Sequence, residues 1–100
     1  SSNRMKHFFF TIHKTPKRAT VTNEFARSVL TSHTAYFKDL GAQGKCIVAG
    51  PFVDHETEMG GGCYILRAGS EDDARALADA DPLVSEGLYD YNIYEWTRVV

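Results

Sequence analysis

Cysteine is scarce in this chain, with two in 100 residues, Cys46 and Cys63. Neither belongs to a Cys-x-x-Cys pair, which excludes the usual zinc and dithiol signatures. Each falls near the start of a predicted strand, and the two strands read as one antiparallel hairpin. The two starts then lie at opposite ends, offset by about four residues of ~3.3 Å each, too far for a disulfide. Both are read as small buried hydrophobes of a chain expected in the cytoplasm. An excess of charge of either sign is also missing. Eleven Lys and Arg stand against 13 Asp and Glu, giving a net charge of −2 and a pI near 6.0. Nucleic acid and anionic lipid both call for a basic stripe, so neither is expected as a partner. No apolar run approaches the ~20 residues that span a bilayer, and no signal-peptide pattern opens the sequence. Ser1 to Arg4 precede Met5 and are read as a tag remnant.

What is present is ordinary globular composition, 43% apolar and 24% charged, at a length suited to one modest core. Lys6 to His13 is rich in strand formers and ends at a turn carrying Pro16. The basic residues there (Lys14, Lys17 and Arg18) read as a short solvated cluster. A helix is predicted from Thr22 to Gln43, capped by Thr22 or Asn23 and closed by Gly41 or Gly44. Lys45 to Val53 is a second strand, and Pro51, which has no N–H to give a ladder, marks an end, bulge or edge. A polar loop from Asp54 to Gly60 leads to a third strand, Gly61 to Ala68. Ser70-Glu71-Asp72-Asp73 opens a second helix with a capping serine and carboxylates at the positive end of the dipole. Asp81-Pro82 restarts a short turn that Gly87 ends, and Tyr89 to Trp96 is the last strand.

The order β-α-β-β-α-β predicts a ferredoxin-like α+β fold, with a four-stranded antiparallel sheet and helices on one face. The strands are apolar on both faces: Phe8, Phe10 and Ile12 oppose Phe9, and Tyr91 and Ile93 oppose Tyr94 and Trp96. Such a sheet needs a second cover, expected to be another copy of the chain packed sheet to sheet as a homodimer or higher homo-oligomer.

Within the first helix Phe25, Val29, His33, Tyr36 and Leu40 recur at the spacing of one face, which places an imidazole on an apolar stripe. A lone histidine there is more often a satisfied core residue than a catalyst. It must have a partner, and it is the natural proton carrier near neutral pH. Asp81 is the candidate partner, because the turn after the second helix is able to approach the first. A carboxylate on one ring nitrogen would fix the tautomer and leave the other nitrogen to move a proton. The plain alternative is that Asp81 caps a helix, and the two roles are compatible.

Other features carry less. The loop Asp54-His55-Glu56-Thr57-Glu58 matches no ligand spacing and reads as solvated, so no metal is expected. His7 and His13 share a strand face with no spacing argument for a role. Gly60-Gly61-Gly62 lacks the Lys-Ser/Thr and the helix of a phosphate loop. No nucleophile elbow is present, and an RNA-stacking sheet is disfavoured by the acidic balance.

Ala42-Gln43-Gly44-Lys45-Cys46-Ile47-Val48-Ala49-Gly50-Pro51 resembles the GKLLLAGP stretch of YciI-like (YCII-related) proteins. Ser70 to Val84, with its Ala78-Asp79-Ala80-Asp81-Pro82 run, and Glu86-Gly87 resemble a second stretch of that family, and His33 falls where the family has a helical histidine. The resemblance covers residues 5–97, taken as a single domain. It implies a dimeric α/β-barrel type of ferredoxin-like fold, similar to muconolactone isomerase, and a His33–Asp81 dyad in a pocket of each subunit. Many members carry an arginine three residues before the histidine, where this chain has Leu30; Arg27 is one turn earlier. The resemblance further implies a cofactor-free enzyme acting on a small cyclic or aromatic molecule. Its most concrete form is a lyase removing HCl from a chlorinated hydroxyhydroquinone, or else a muconolactone-isomerase-like isomerase. The alternative is a non-catalytic dimeric module that binds a small ligand or a protein, with a structural His-Asp pair.

Overall fold

The structure is a computed structural model that describes residues 5–54 and 57–100. Its elements are β1 (Lys6–Lys14), a 3-10 turn (Pro16–Thr20), α1 (Asn23–Ala42), β2 (Cys46–Pro51), β3 (Gly62–Ala68), α2 (Glu71–Asp79), α3 (Pro82–Ser85) and β4 (Tyr89–Trp96). The sheet order is β2-β3-β1-β4 with every pairing antiparallel, which is the ferredoxin-like topology. The expected tag remnant, Ser1 to Arg4, lies outside the described residues, as do His55 and Glu56 of the polar loop.

Local chemistry accounts for most element boundaries. The Thr22 hydroxyl accepts from the Phe25 N–H, and the Ser70 hydroxyl accepts from the Asp73 N–H, so both long helices begin at side-chain caps. Gly87 adopts φ +76 just after α3, and the Leu88 N–H reaches back to the Leu83 carbonyl. Only glycine takes that backbone conformation without a Cβ penalty. Pro51 is the last residue of the edge strand β2, where it withdraws no ladder donor from a central strand.

The core lies between the helices and one sheet face. Phe8, Phe10 and Ile12 of β1 and Tyr64, Leu66 and Ala68 of β3 are buried against Val29, Phe37 and Leu40 of α1 and Ala74 and Ala78 of α2. The buried stripe of α1 differs from the predicted one, since it consists of Ala26, Val29, Phe37 and Leu40, while Phe25 is 42% exposed. At ~100° per residue those four lie within about 40° of His33, whereas Phe25 is about 80° away. His33 is therefore the centre of the stripe.

Two expectations need correction. The dimeric barrel does not describe this structure: the sheet is open, with β2 and β4 as its two edges, and no dimer is part of it. A barrel closed by side chains takes about eight strands, and four cannot close on themselves. Among the described residues no element covers the face away from the helices, and Tyr94 and Trp96 are 55% and 46% exposed. Of the cysteines, Cys63 pairs with Gly50, four residues along β2 from Cys46. Both are free thiols, as the spacing argument requires, but only Cys46 is buried and Cys63 is half-buried.

Candidate active site

His33 and Asp81 meet. The imidazole Nδ1 lies 2.7 Å from Asp81 Oδ1, with the histidine side chain 17% exposed and the aspartate fully buried. Carboxylate oxygens accept, so Nδ1 carries the proton of this bond and Nε2 is the nitrogen left to exchange one. Nε2 has no hydrogen bond among the described residues. The same Oδ1 accepts the Leu83 N–H at 3.0 Å, so Asp81 is also the N-cap of α3, with Pro82 in the first turn. Both readings of Asp81 from the sequence thus hold at one oxygen.

The frame that holds the pair is built from α1 and the α2–α3 junction. Tyr36, one turn beyond His33, donates its hydroxyl to the Leu77 carbonyl at 2.6 Å. Leu77 lies in the last turn of α2, where carbonyls lack helical partners, so this bond docks the end of α2 on α1. Burial raises the pKa of the Tyr36 phenol, with further contributions from the Asp81 and Asp39 charges, which keeps it a donor. The His33 ring packs against Phe37 at 4.9 Å, Phe37 against Tyr64 at 4.5 Å, and Tyr64 stacks on Phe10 at 4.8 Å. An aromatic column therefore runs from the imidazole to the sheet.

Two buried polar atoms beside the pair, Asp81 Oδ2 and the Tyr64 hydroxyl, have no hydrogen-bond partner among the described residues. Burial pushes the Tyr64 phenol well above its ordinary pKa, and the Asp81 charge pushes it further in the same direction. It stays protonated throughout the neutral range.

A cavity of about 610 Å³ opens beside His33, between α1, β2 and the end of β1. That volume is in the range of small-molecule sites. Leu30, Phe37, Ile47, Val48, Tyr64 and Leu83 form apolar and aromatic walls, His33 and Thr34 add polar groups, and Lys14, Arg18 and Lys38 also line it. Arg27, one turn before Leu30, does not line it, whereas Leu30 does. Sequence reasoning missed Lys14, Arg18, Lys38 and Tyr64 as members of the site. For the first two the signal was the basic cluster around Pro16, read as solvated. His7 is on the opposite sheet face, edge-on to Trp96, and His13 bonds Thr11 and Asn92, so neither joins the dyad. Among the described residues no group of three or more His, Cys, Asp or Glu is arranged to hold a metal ion, and no helix is long and apolar enough to cross a membrane.

Comparison with known proteins shows a family and a shared fold. The model of the YCII-related domain matches residues 8–97. The chain is 32% identical over 75 residues to the Bacillus subtilis (strain 168) protein YjpA, which is described as uncharacterized, covering 75% of this chain and 84% of that one. Its fold is similar to that of the 5-chloro-2-hydroxyhydroquinone dehydrochlorinase TftG from Burkholderia phenoliruptrix AC1100, solved with 2,5-dihydroxybenzoquinone. The TM-score is 0.70 at 23% identity, covering 93% of this chain and 95% of that one.

Proposed function

The chain belongs to the YCII-related domain family, and from that premise we propose that it is a small acid–base enzyme acting on a cyclic or aromatic metabolite. The observation that carries the reading is the 2.7 Å His33–Asp81 bond at the wall of an aromatic-lined cavity. Nε2 of His33 takes a proton from a ring hydroxyl or an acidic carbon. Asp81 holds the ring in one tautomer and stabilises the imidazolium as it forms, from a site that water does not reach. Positioned proton transfer of this kind contributes about 10²–10⁴-fold. Phe37 and Tyr64, packed in the aromatic column, belong to the apolar wall along which a planar substrate lies.

The most concrete reaction is removal of HCl from a chlorinated hydroxyhydroquinone, and the fold shared with a dehydrochlorinase supports it. His33 moves one hydroxyl proton to the chlorine-bearing carbon. A second hydroxyl proton and chloride then leave, the chloride with the C–Cl electron pair, and the ring is left as a quinone. The net loss is HCl, and the step draws on no oxidant. Proton transfer between two carbons, an isomerisation, would use the same residues. The two free thiols, neither within reach of the other, suit a cytoplasmic setting for this enzyme.

The test is chloride release and quinone absorbance with 5-chloro-2-hydroxyhydroquinone, comparing the native chain with His33→Ala. A loss of about 10²-fold or more is expected for the variant. Equal rates in the two proteins, or no turnover of this compound and of related lactones by the native chain, overturn the proposal.

A further inference from the structure

The basic cluster around Pro16 is divided by the fold. Lys17 donates its ammonium to the Glu86 carbonyl at 2.8 Å, while Thr15 bonds Gly87 through its hydroxyl at 2.6 Å and Leu88 through its N–H at 3.0 Å. These three bonds tie the 3-10 turn to the end of α3. So anchored, the segment puts Lys14 and Arg18 on the cavity wall, where Lys38 of α1 joins them. Among the described residues none of the three has an ion-pair partner, and no Asp or Glu lines the cavity. The acidic group nearest in function, Asp81, is fully buried behind His33 and already bonded. In a chain of net charge −2, three uncompensated cations round one apolar cavity form a local field of the opposite sign.

We infer that, beyond the hydroquinone considered above, the cavity takes rings that bear a carboxylate, the acid group held by Lys14, Arg18 and Lys38 and the ring lying along the wall that includes Phe37, towards His33. The inference rests on the cavity being the active site proposed above. Arg18 is half-buried, and its planar fork suits a carboxylate in two-point contact. Lys14 and Lys38 are exposed, so they act through the field at the mouth more than through fixed bonds. A neutral ring of the same shape would meet the same walls without the electrostatic gain.

The experiment titrates the full chain with 2,5-dihydroxybenzoate and, separately, with its neutral amide, 2,5-dihydroxybenzamide, following the His33 ring signals by NMR. The carboxylate is expected to bind about tenfold or more tightly at low salt, with the advantage shrinking as salt is raised. In a Lys14→Gln/Arg18→Gln/Lys38→Gln variant the two ligands should bind within about twofold of each other. Lys38→Glu alone, on the exposed side of α1, should weaken the carboxylate and spare the amide, and serves if the triple variant does not fold. Equal affinity of the native chain for both ligands, each moving the His33 signals, overturns the carboxylate inference and leaves the cavity reading standing. No change in the His33 signals with either ligand at millimolar concentration overturns both.

Discussion

Replacing His33 by alanine should damage stability in a way that a second substitution repairs. In the native chain Asp81 is fully buried, its Oδ1 is bonded to His33 and Leu83, and its Oδ2 has no partner among the described residues. Removing the imidazole leaves that carboxylate with one main-chain N–H. Breaking a buried pair from one side costs about 3–5 kcal/mol, because the remaining charge is uncompensated. The 17% exposure of His33 lets water into the space it vacates, so the lower end applies, about 3 kcal/mol. At this size that is a fall in Tm of roughly 10–20 °C. Adding Asp81→Asn in the His33→Ala background removes the orphaned charge and keeps an oxygen for the Leu83 N–H, since Asn caps helices about as well as Asp. The double variant should therefore be more stable than His33→Ala by about 1–2 kcal/mol. Urea unfolding of the native chain and the two variants at pH 7, with equal slopes, gives the comparison. If His33→Ala costs under ~0.5 kcal/mol, or if Asp81→Asn adds its own loss in that background, the pair carries no coupling energy and Asp81 is a cap and nothing more.

Two tyrosines of the site should respond with opposite signs to loss of the hydroxyl. Tyr36→Phe strands the Leu77 carbonyl and should cost about 1 kcal/mol, whereas Tyr64→Phe removes a buried hydroxyl without a partner and should be neutral or up to ~1 kcal/mol stabilising. Matched urea midpoints decide this, and a Tyr64→Phe loss above 1 kcal/mol would show that its hydroxyl is bonded in solution. The thiols should separate in the same fashion: burial raises the pKa of Cys46, so at pH 8 its thiolate fraction is small, and a disulfide reagent should modify half-buried Cys63 first. Peptide mapping after brief labelling reads the order, and faster modification of Cys46 contradicts it.

Much of the fold was legible because its signals are local. The Ser70 and Asp81 caps, the Pro51 edge and the strand Tyr89–Trp96 each follow from a few neighbouring residues. The helical stripe was offset by a residue at Phe25, which lies about 80° round α1 from His33 and is exposed while Ala26 is buried. The expected barrel came from the family resemblance and from no local signal: strand patterning shows that two faces are apolar and says nothing of what closes over them.

By itself, the order of elements and their capping chemistry determined a βαββαβ chain with His33 at the centre of the α1 stripe and Asp81 at the head of α3. Only the tertiary structure decided that these two groups, 48 residues apart in sequence, bond at 2.7 Å, and that Lys14, Arg18 and Lys38 line the cavity beside His33. Periodicity places a side chain on a face, whereas a pocket depends on how three elements pack, through contacts such as Tyr36 with Leu77 and Lys17 with Glu86 that no local pattern encodes.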